Sequence, residues 1–246
     1  MLKIFDTEEE LARVLSLEML SQLKSESNPI FCLASGSTPA KTYKKFVENA
    51  EVKQYIEKLK FVGLDEWVGI HKDVDGSCYQ MLYKDLFQYL SLTDDQIEFF
   101  DAVNDDLDKE CKRIDAYINE NPITFSLMGV GMNGHIGLNE PGDTVKNYSS
   151  VVPLSETTKT VAQKYFKKEQ VLTDGITLGL QQIMKSKRVV VVITGEHKKE
   201  IVKKIFEERT SKKLPVQELL GQENIDFYLD KEAFSLVKEE SVKEFM

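Results

Sequence analysis

A histidine and a glutamate lie five positions apart in a glycine-rich run near the middle of the chain, GVGMNGHIGLNEPG (129–142). An imidazole with a pKa of about 6.5 can both accept and donate a proton at neutral pH. Glu140 is close enough in sequence to orient His135 or to share its protons, and Asn133 stands two residues before the histidine. We therefore predict acid–base chemistry for this run, although a lone histidine can also serve only as a structural hydrogen-bonding group.

The same run contains the spacing G-x-G-x-x-G at Gly129, Gly131 and Gly134, which could bind a dinucleotide. That fingerprint requires a helix that begins at the third glycine and an acidic residue about 20 positions later, at the end of the next strand. Here HIGLNEPG follows the third glycine, and no strand with a terminal acid follows at that distance. The sequence therefore disfavours a nucleotide cofactor.

A second group of small polar residues follows the apolar segment PIFCLA, and it consists of Ser35, Gly36, Ser37 and Thr38 before Pro39. Thr38 is suited to cap a helix and Pro39 to its first position. The free N–H groups of a helix N-terminus bind anions, most often phosphate. We predict a phosphate loop here, and the alternative is an ordinary strand–turn–helix connection.

Charged residues follow two further apolar segments. Asp65 and Glu66 come directly after KFVGL, and because neighbouring residues of a strand point to opposite faces, only one of them should face a cleft. The alternative is that both carboxylates are solvated or cap a helix. Lys198 follows RVVVVIT at a helix start and could reach an anion bound at the phosphate loop, although this helix also carries several surface lysines.

The apolar segments that precede these residues do not alternate with polar ones, and amphipathic stretches separate them. This pattern is typical of a mostly parallel sheet covered by helices on both faces, a doubly wound α/β fold, in which ligands bind beyond the carboxyl ends of the strands. We predict strands at 29–34, 60–65, 97–100, 123–130, 188–194 and 225–230. We predict helices at 7–24, from 39, and at 76–90, 106–120, 155–166, 175–184 and 197–208.

The composition sets limits on the class of protein. The 246 residues, 41% of them hydrophobic, predict a single domain over 1–246. The net charge of −9 argues against nucleic acid or an anionic membrane as a partner. We expect no signal peptide, because the first residues turn acidic at once, and no apolar run reaches the length of a membrane span. The number of cysteines is odd (Cys32, Cys78 and Cys111) and they are widely spaced, which is typical of reduced thiols in a cytoplasmic protein. The other histidines, His71 and His197, lie in separate segments and no metal-binding spacing occurs, so we expect no metal.

Five collinear stretches together resemble the glucosamine-6-phosphate deaminase/isomerase family, which shares a superfamily with 6-phosphogluconolactonase. They are LASGSTP (33–39), LDEWVG (64–69), GVGMNGHIGLNEPG (129–142), GITLGL (175–180) and ITGEHK (193–198). The run G-H-I-G-L-N-E-P, in place of the G-H-x-A-S-L-F-P type of the lactonases, favours the amino-sugar branch. The combination is most similar to galactosamine-6-phosphate deaminase/isomerase members.

The resemblance implies roles for the acid–base residues. Asp65 matches the general base that moves a proton between C2 and C1 of the open-chain sugar. His135 matches the residue that catalyses ring opening, and Glu140 matches its carboxylate partner. Asn133 stands where many members have an aspartate that completes the relay. An amide can still orient the imidazole, but it cannot stabilise an imidazolium by charge.

The resemblance also implies how a phosphate binds. The loop Ser35–Thr38 matches the family's phosphate loop, with Lys198 as its cation. Lys159 falls where glucosamine-6-phosphate members have a phosphate-binding arginine, and a lysine keeps the charge but loses the bidentate geometry. Glucosamine enzymes often carry Ser-x-Thr-Arg after N-E-P, whereas this chain reads GDTVKNYSSVV without an arginine. The identity of the sugar therefore stays open.

These roles imply a hexosamine-6-phosphate deaminase/isomerase that needs no cofactor and binds a small-molecule sugar phosphate. Galactosamine 6-phosphate would give tagatose 6-phosphate, and glucosamine 6-phosphate would give fructose 6-phosphate, each with release of ammonia. Two alternatives stay open, a lactonase that hydrolyses 6-phosphogluconolactone and a sensor that binds a sugar phosphate without catalysis. The sequence also leaves the oligomeric state open, a homo-oligomer included, together with allosteric control.

Overall fold

The computed structural model describes residues 1–142, 145–208 and 214–245. Its strands are β1 (Leu2–Phe5), β2 (Ile30–Leu33), β3 (Lys60–Gly63), β4 (Asp65–Trp67), β5 (Ile97–Glu98), β6 (Phe125–Gly129), β7 (Ser150–Pro153), β8 (Asp174–Thr177), β9 (Arg188–Ile193) and β10 (Ile225–Asp230). Its α-helices are α1 (Glu8–Ser25), α2 (Ser37–Glu48), α3 (Cys78–Asp85), α4 (Leu107–Glu120), α5 (Glu156–Ala162), α6 (Leu180–Met184), α7 (Lys199–Glu207) and α8 (Lys231–Phe234).

Seven of these strands form one sheet in the order β1-β10-β9-β6-β2-β3-β5, and every pair of neighbours in it is parallel. The prediction of a mostly parallel α/β sheet is confirmed. The four strands that precede the predicted functional residues, β9, β6, β2 and β3, are consecutive in the sheet. Their carboxyl ends therefore meet at one edge, which is where ligands bind in such folds.

Two apolar layers cover the sheet, because each central strand sends successive side chains to opposite faces. In β2, Cys32 packs in the layer that contains α4, α6 and α7, whereas Phe31 and Leu33 pack in the layer that contains α1 and α2. In β9, the alternate valines divide between the two layers in the same way. Strands buried on both faces explain why the sequence shows continuous apolar runs and no alternation.

A small antiparallel sheet, β4-β8-β7, lies apart from the main one and was not predicted. The predicted helix at 175–184 is wrong in its first half, because Gly175 to Thr177 belong to β8 and the helix begins only at Leu180. β8 pairs with β4, so that Asp65 lies opposite Thr177. This pairing fixes the backbone of Asp65 directly after β3. Within the described residues, no helix is long and apolar enough to cross a membrane.

Candidate active site

The loops that follow β2, β3, β6 and β9 surround one cavity at the carboxyl edge of the main sheet. Of the residues predicted from the sequence, those that line it are Ser35, Gly36, Ser37, Thr38, Asp65, Asn133, His135 and Lys198. Glu140 is buried behind the histidine, at 5% exposure. Lys159 does not line the cavity. The structure therefore brings together all but one of the predicted residues, in the lining of this cavity or directly behind it.

The predicted phosphate loop, Ser35–Thr38, leads into α2, but the helix cap differs from the prediction. The helix begins at Ser37 and its N-cap is Gly36, so Thr38 lies inside the first turn and does not cap the helix. Gly36 has a φ of 97°, a left-handed conformation that glycine adopts without strain. A methyl group at Gly36 would also come within 2.9 Å of the Tyr165 hydroxyl. Glycine is thus required here for the loop to turn and for Tyr165 to lie against it.

Lys198 is the buried cation of this end of the cavity, at 7% exposure. Its ammonium group donates a 2.6 Å hydrogen bond to the carbonyl oxygen of Val130, the residue directly after β6. Burial, and next the nearby charge of Lys164, lower the pKa of Lys198 to about 8. A cation that has lost much of its hydration and lies beside a second cation is poised to bind an anion.

The second cation is Lys164 and not Lys159. Lys159 pairs with Glu156 at 2.9 Å on the outer side of α5. Lys159 follows the buried Thr158, which faces the site, and successive residues lie about 100° apart around the helix axis. The lysine side chain therefore points away from the direction of Thr158. Lys164 lies in the 3₁₀ turn that follows α5 and lines the cavity. Lys159, which was predicted as a phosphate-binding cation, therefore lies outside the cavity lining, and Lys164 lines the cavity instead.

Asp65 and Glu66 have different environments, as the strand geometry predicted. Asp65 is 7% exposed and lines the cavity, and burial raises its pKa to about 6 although Cys78 and His135 act in the opposite direction. Glu66 points the other way and accepts backbone N–H groups of Cys78 at 2.8 Å and Tyr79 at 3.0 Å. Glu66 thus accepts free backbone N–H groups at the N-terminus of α3. These hydrogen bonds hold the helix against β4, the strand that carries Asp65.

His135 contacts its carboxylate partner through a hydroxyl group. Its Nδ1 lies 3.1 Å from the Oγ1 of Thr158, and that hydroxyl donates a 2.5 Å hydrogen bond to Glu140. The direct distance from Nδ1 to the Glu140 Oε2 is 3.7 Å. Burial would raise the pKa of Glu140, but His135, the Thr158 hydroxyl and the Asn133 amide together lower it to about 2. Glu140 is therefore ionised at neutral pH.

Asn133 orients the carboxylate and not the imidazole. Its Nδ2 donates to Glu140 at 2.6 Å and to the Ser155 hydroxyl at 3.0 Å, and its Oδ1 accepts the backbone N–H of His135 at 3.2 Å. The sequence left open that this amide orients the imidazole, whereas in the structure it contacts the backbone of His135 instead. An amide is well suited to this position, because it presents N–H groups to an anion and an oxygen to a donor.

The cavity therefore has two titratable groups suited to proton transfer and one end that carries positive charge. Asp65 is a buried carboxylate of raised pKa, His135 is an imidazole supported by an ionised carboxylate, and Lys198 and Lys164 supply positive charge beside the N-terminus of α2. Such a set can move protons on a bound molecule whose anionic group is held at a distance from the reacting atoms. Among the described residues, no group of three or more His, Cys, Asp and Glu side chains is arranged to hold a metal ion.

A family model matches most of the chain. The model for glucosamine-6-phosphate isomerases/6-phosphogluconolactonase matches residues 6–227. The chain belongs to this family.

Relatives of the same family match along nearly the whole chain. A glucosamine-6-phosphate deaminase of Thermoanaerobacter sp. (strain X514) is 30% identical over 96% of this chain and 94% of its own length. One of Bacillus cereus (strain G9842) is 32% identical over 96% of this chain and 88% of its own.

Solved structures agree with the fold. A monomeric glucosamine-6-phosphate deaminase superposes with a TM-score of 0.89 at 29% identity, over 96% of this chain and 99% of that one. The 6-phosphogluconolactonase of Trypanosoma brucei superposes with a TM-score of 0.74 at 23% identity, over 96% of this chain and 98% of that one, which shows the shared fold.

The cavity-lining residues that were not predicted include Cys78, Thr158, Lys164 and Tyr165. Three of them lie in the segment after Ser155, whose hydroxyl caps α5. Helical spacing from that cap marks Thr158 and Ala162 as the inward face, and this signal distinguishes Lys159 from the cavity-facing residues. No sequence pattern predicted that Cys78 lines the cavity, because the position of α3 depends on the hydrogen bonds between Glu66 and the N-terminus of that helix. Residues 143 and 144, within the run GDTVKNYSSVV, lie outside the described residues.

Proposed function

We propose that this protein is a hexosamine-6-phosphate deaminase/isomerase, which converts an amino-sugar 6-phosphate and water to a ketose 6-phosphate and ammonia. The observation that carries the proposal is the pairing, in one cavity, of the buried carboxylate of Asp65 with the imidazole of His135. The relatives named as glucosamine-6-phosphate deaminases support the same reaction.

The sugar phosphate binds with its phosphate at the N-terminus of α2. The backbone N–H groups of the first helical turn and the hydroxyls of Ser35, Ser37 and Thr38 donate to the phosphate oxygens. Lys198 and Lys164 neutralise its charge. This binding energy is gained away from the reacting carbons and serves to position C1 and C2 against Asp65.

Ring opening requires that the O1 hydroxyl loses a proton and that O5 gains one as the C1–O5 bond breaks. His135 is the group that moves this proton. It accepts the proton from O1 and delivers it to O5, and the ionised Glu140 behind it stabilises the intermediate positive charge.

Proton transfer between the carbons belongs to Asp65. The carboxylate takes the proton from C2 of the open-chain amino aldehyde and returns it to C1, while a proton moves from the amino nitrogen to O1, which leaves an imine at C2 and a hydroxyl at C1. Water adds to the imine and ammonia departs, which yields the ketose 6-phosphate. Because burial raises the pKa of Asp65 to about 6, this group is a stronger base than an ordinary carboxylate and is still mostly ionised at neutral pH.

Two sugars are candidates for the substrate. The named relatives point to glucosamine 6-phosphate, whereas LDEWV, NGHIGLNEPG and GITLGL are most similar to galactosamine-6-phosphate members. The two substrates differ only in the configuration at C4. The ratio of the kcat/KM values for the two compounds identifies the preferred substrate.

The decisive experiment measures ammonia release by the purified protein with galactosamine 6-phosphate and glucosamine 6-phosphate in parallel, with Asp65→Asn as the control. We expect release with at least one sugar, and its loss in the variant. A 6-phosphogluconolactonase needs no carboxylate for proton transfer at C2, so Asp65→Asn would spare lactone hydrolysis. Binding of both sugars without any ammonia release would contradict the proposal and support a non-catalytic sensor.

A further inference from the structure

We infer that Thr158 is a positioning residue that links His135 to Glu140 and holds the neutral imidazole as the Nδ1–H tautomer, with Nε2 left as the acceptor. The inference concerns how the histidine of the proposed deaminase is prepared for ring opening. Its catalytic consequence rests on the proposed function. Its tautomer assignment rests only on the hydrogen bonds of the protein.

The direct route between imidazole and carboxylate is too long for a hydrogen bond. The distance from Nδ1 of His135 to Oε2 of Glu140 is 3.7 Å. Donor–acceptor distances of N–H···O hydrogen bonds are about 2.7–3.2 Å. The only hydrogen bond that the described residues offer to Nδ1 is the one at 3.1 Å to the Thr158 hydroxyl. Thr158 therefore carries the connection between the two groups.

The direction of that connection follows from counting protons. A threonine hydroxyl has one proton and two lone pairs. Oγ1 of Thr158 lies 2.5 Å from Oε1 of Glu140, a distance typical of a hydroxyl that donates to a carboxylate. Glu140 is ionised and can only accept. The single proton of Thr158 is thus committed to Glu140, and its oxygen must accept from Nδ1–H of His135.

The neighbouring groups prevent the hydroxyl from turning. The Ser155 hydroxyl oxygen accepts hydrogen bonds from the side-chain amide N–H of Asn133 at 3.0 Å and from the backbone N–H of Thr158 at 3.2 Å. Both lone pairs of this oxygen are therefore used. Its own proton is then donated to the Thr158 oxygen at 3.0 Å. The second lone pair of Thr158 is thereby filled, and only the proton toward Glu140 is left to donate. Every member of the network has one consistent role.

The consequence lies at the other side of the ring. In a neutral imidazole with a proton on Nδ1, Nε2 carries the lone pair. This nitrogen lies beside the backbone of Gly131, and His135 lines the cavity. The histidine is thus prepared to accept a proton from the substrate. After it has done so, the imidazolium keeps its Nδ1–H bond to Thr158 and has the Glu140 carboxylate within 3.7 Å.

The test compares Thr158→Val, which removes the hydroxyl and keeps the branched shape, with Thr158→Ser, which keeps the hydroxyl. Long-range ¹H–¹⁵N NMR spectra of the substrate-free protein report the tautomer of each histidine, and His135→Asn identifies the His135 signals. We expect Nδ1–H in the wild type and in Thr158→Ser, and a shift toward Nε2–H in Thr158→Val. Thr158→Ala serves as a second hydroxyl-free variant if valine impairs folding.

Kinetics give the second readout, with the sugar that releases ammonia in the wild type. We expect Thr158→Val to lower kcat by about 10- to 100-fold, within the range of general acid–base effects, with KM changed less than about threefold. Thr158→Ser should restore most of kcat. Nδ1–H signals that persist in folded Thr158→Val would overturn the inference. Absence of ammonia release from the wild type would overturn the proposed function alone, because the tautomer measurement does not depend on it.

Discussion

The imidazole of His135 lies directly against the α-carbon of Gly131. A methyl group added at Gly131 would come within 2.3 Å of Nε2 and within 2.5 Å of both neighbouring ring carbons. The ring cannot give way easily, because its other nitrogen is bound to Thr158. The glycine at this position is thus required by the histidine and not by the approach of a nucleotide.

Gly131→Ala should therefore displace the imidazole and lower the rate of ammonia release by about 100-fold or more, the size of effect typical for loss of an acid–base group. The displaced ring should also lose its Nδ1–H signal in the NMR spectrum. Gly129→Ala is the matched control, since a methyl group there has no atom within 4 Å. We expect its His135 signals to match those of the wild type. A wild-type rate in Gly131→Ala would show that the ring is not held where the structure has it.

The sequence was sufficient to predict that these residues meet, because unalternating apolar strands bring the loops after Leu33, Gly63, Gly129 and Ile193 to one edge of the sheet. It was not sufficient to predict the contacts within the site. The bridging role of Thr158 depends on a helix whose inward face packs in the apolar cluster that contains Trp67 of β4 and Val152 of β7. These short strands have no periodic signal of their own, so the small sheet and its consequences became visible only in the structure.

Lys164 and Lys159 provide a matched pair for the phosphate end of the cavity. Lys164 lines the cavity, whereas Lys159 pairs with Glu156 on the outer side of α5. Lys164→Met should raise KM for the sugar phosphate by about 10-fold, since the loss of one phosphate-binding charge costs roughly 1–2 kcal/mol. Lys159→Met should leave KM within about twofold of the wild type, because an exposed ion pair contributes little.

Steady-state kinetics of both variants, with inorganic phosphate as a competitive inhibitor, check this prediction. The inhibition constant for phosphate should rise in Lys164→Met in parallel with KM. Equal effects of the two substitutions would mean that the cations act only through the overall charge of this surface. A larger effect of Lys159→Met would restore the position expected from the sequence.

Lys198 should make phosphate binding depend on pH in the alkaline range. Its pKa is lowered to about 8, mainly by burial, so the free protein loses this positive charge as the pH rises through about 8. Inorganic phosphate remains a dianion there, so a change in its inhibition constant reports the protein. We expect inhibition to weaken by up to about tenfold for each pH unit above 8. Lys198→Met should bind phosphate weakly and without this dependence, and a flat profile in the wild type would contradict the assignment.

The carboxylate of Asp65 should reduce the stability of the folded protein. Burial raises its pKa from 3.8 to about 6, so between these values the folded state binds more protons than the unfolded state. The free energy of unfolding therefore falls as the pH rises through this window, and the full cost is present above about pH 6. A shift of this size corresponds to about 3 kcal/mol as an upper value.

Asp65→Asn removes the charge and should increase the free energy of unfolding at pH 8 by about 1–3 kcal/mol, while it abolishes ammonia release. The gain should disappear near pH 4, where the wild-type carboxyl is also neutral. Urea unfolding at both pH values measures the difference.

Glu66→Gln is an informative control, since burial also raises the pKa of Glu66, to about 7. Its carboxylate accepts N–H groups through both oxygens, and an amide would turn a donor toward one of them. We therefore expect Glu66→Gln to give no gain in stability at pH 8. An unfolding free energy of Asp65→Asn at or below that of the wild type at pH 8 would mean that the charge of Asp65 is compensated in the folded protein.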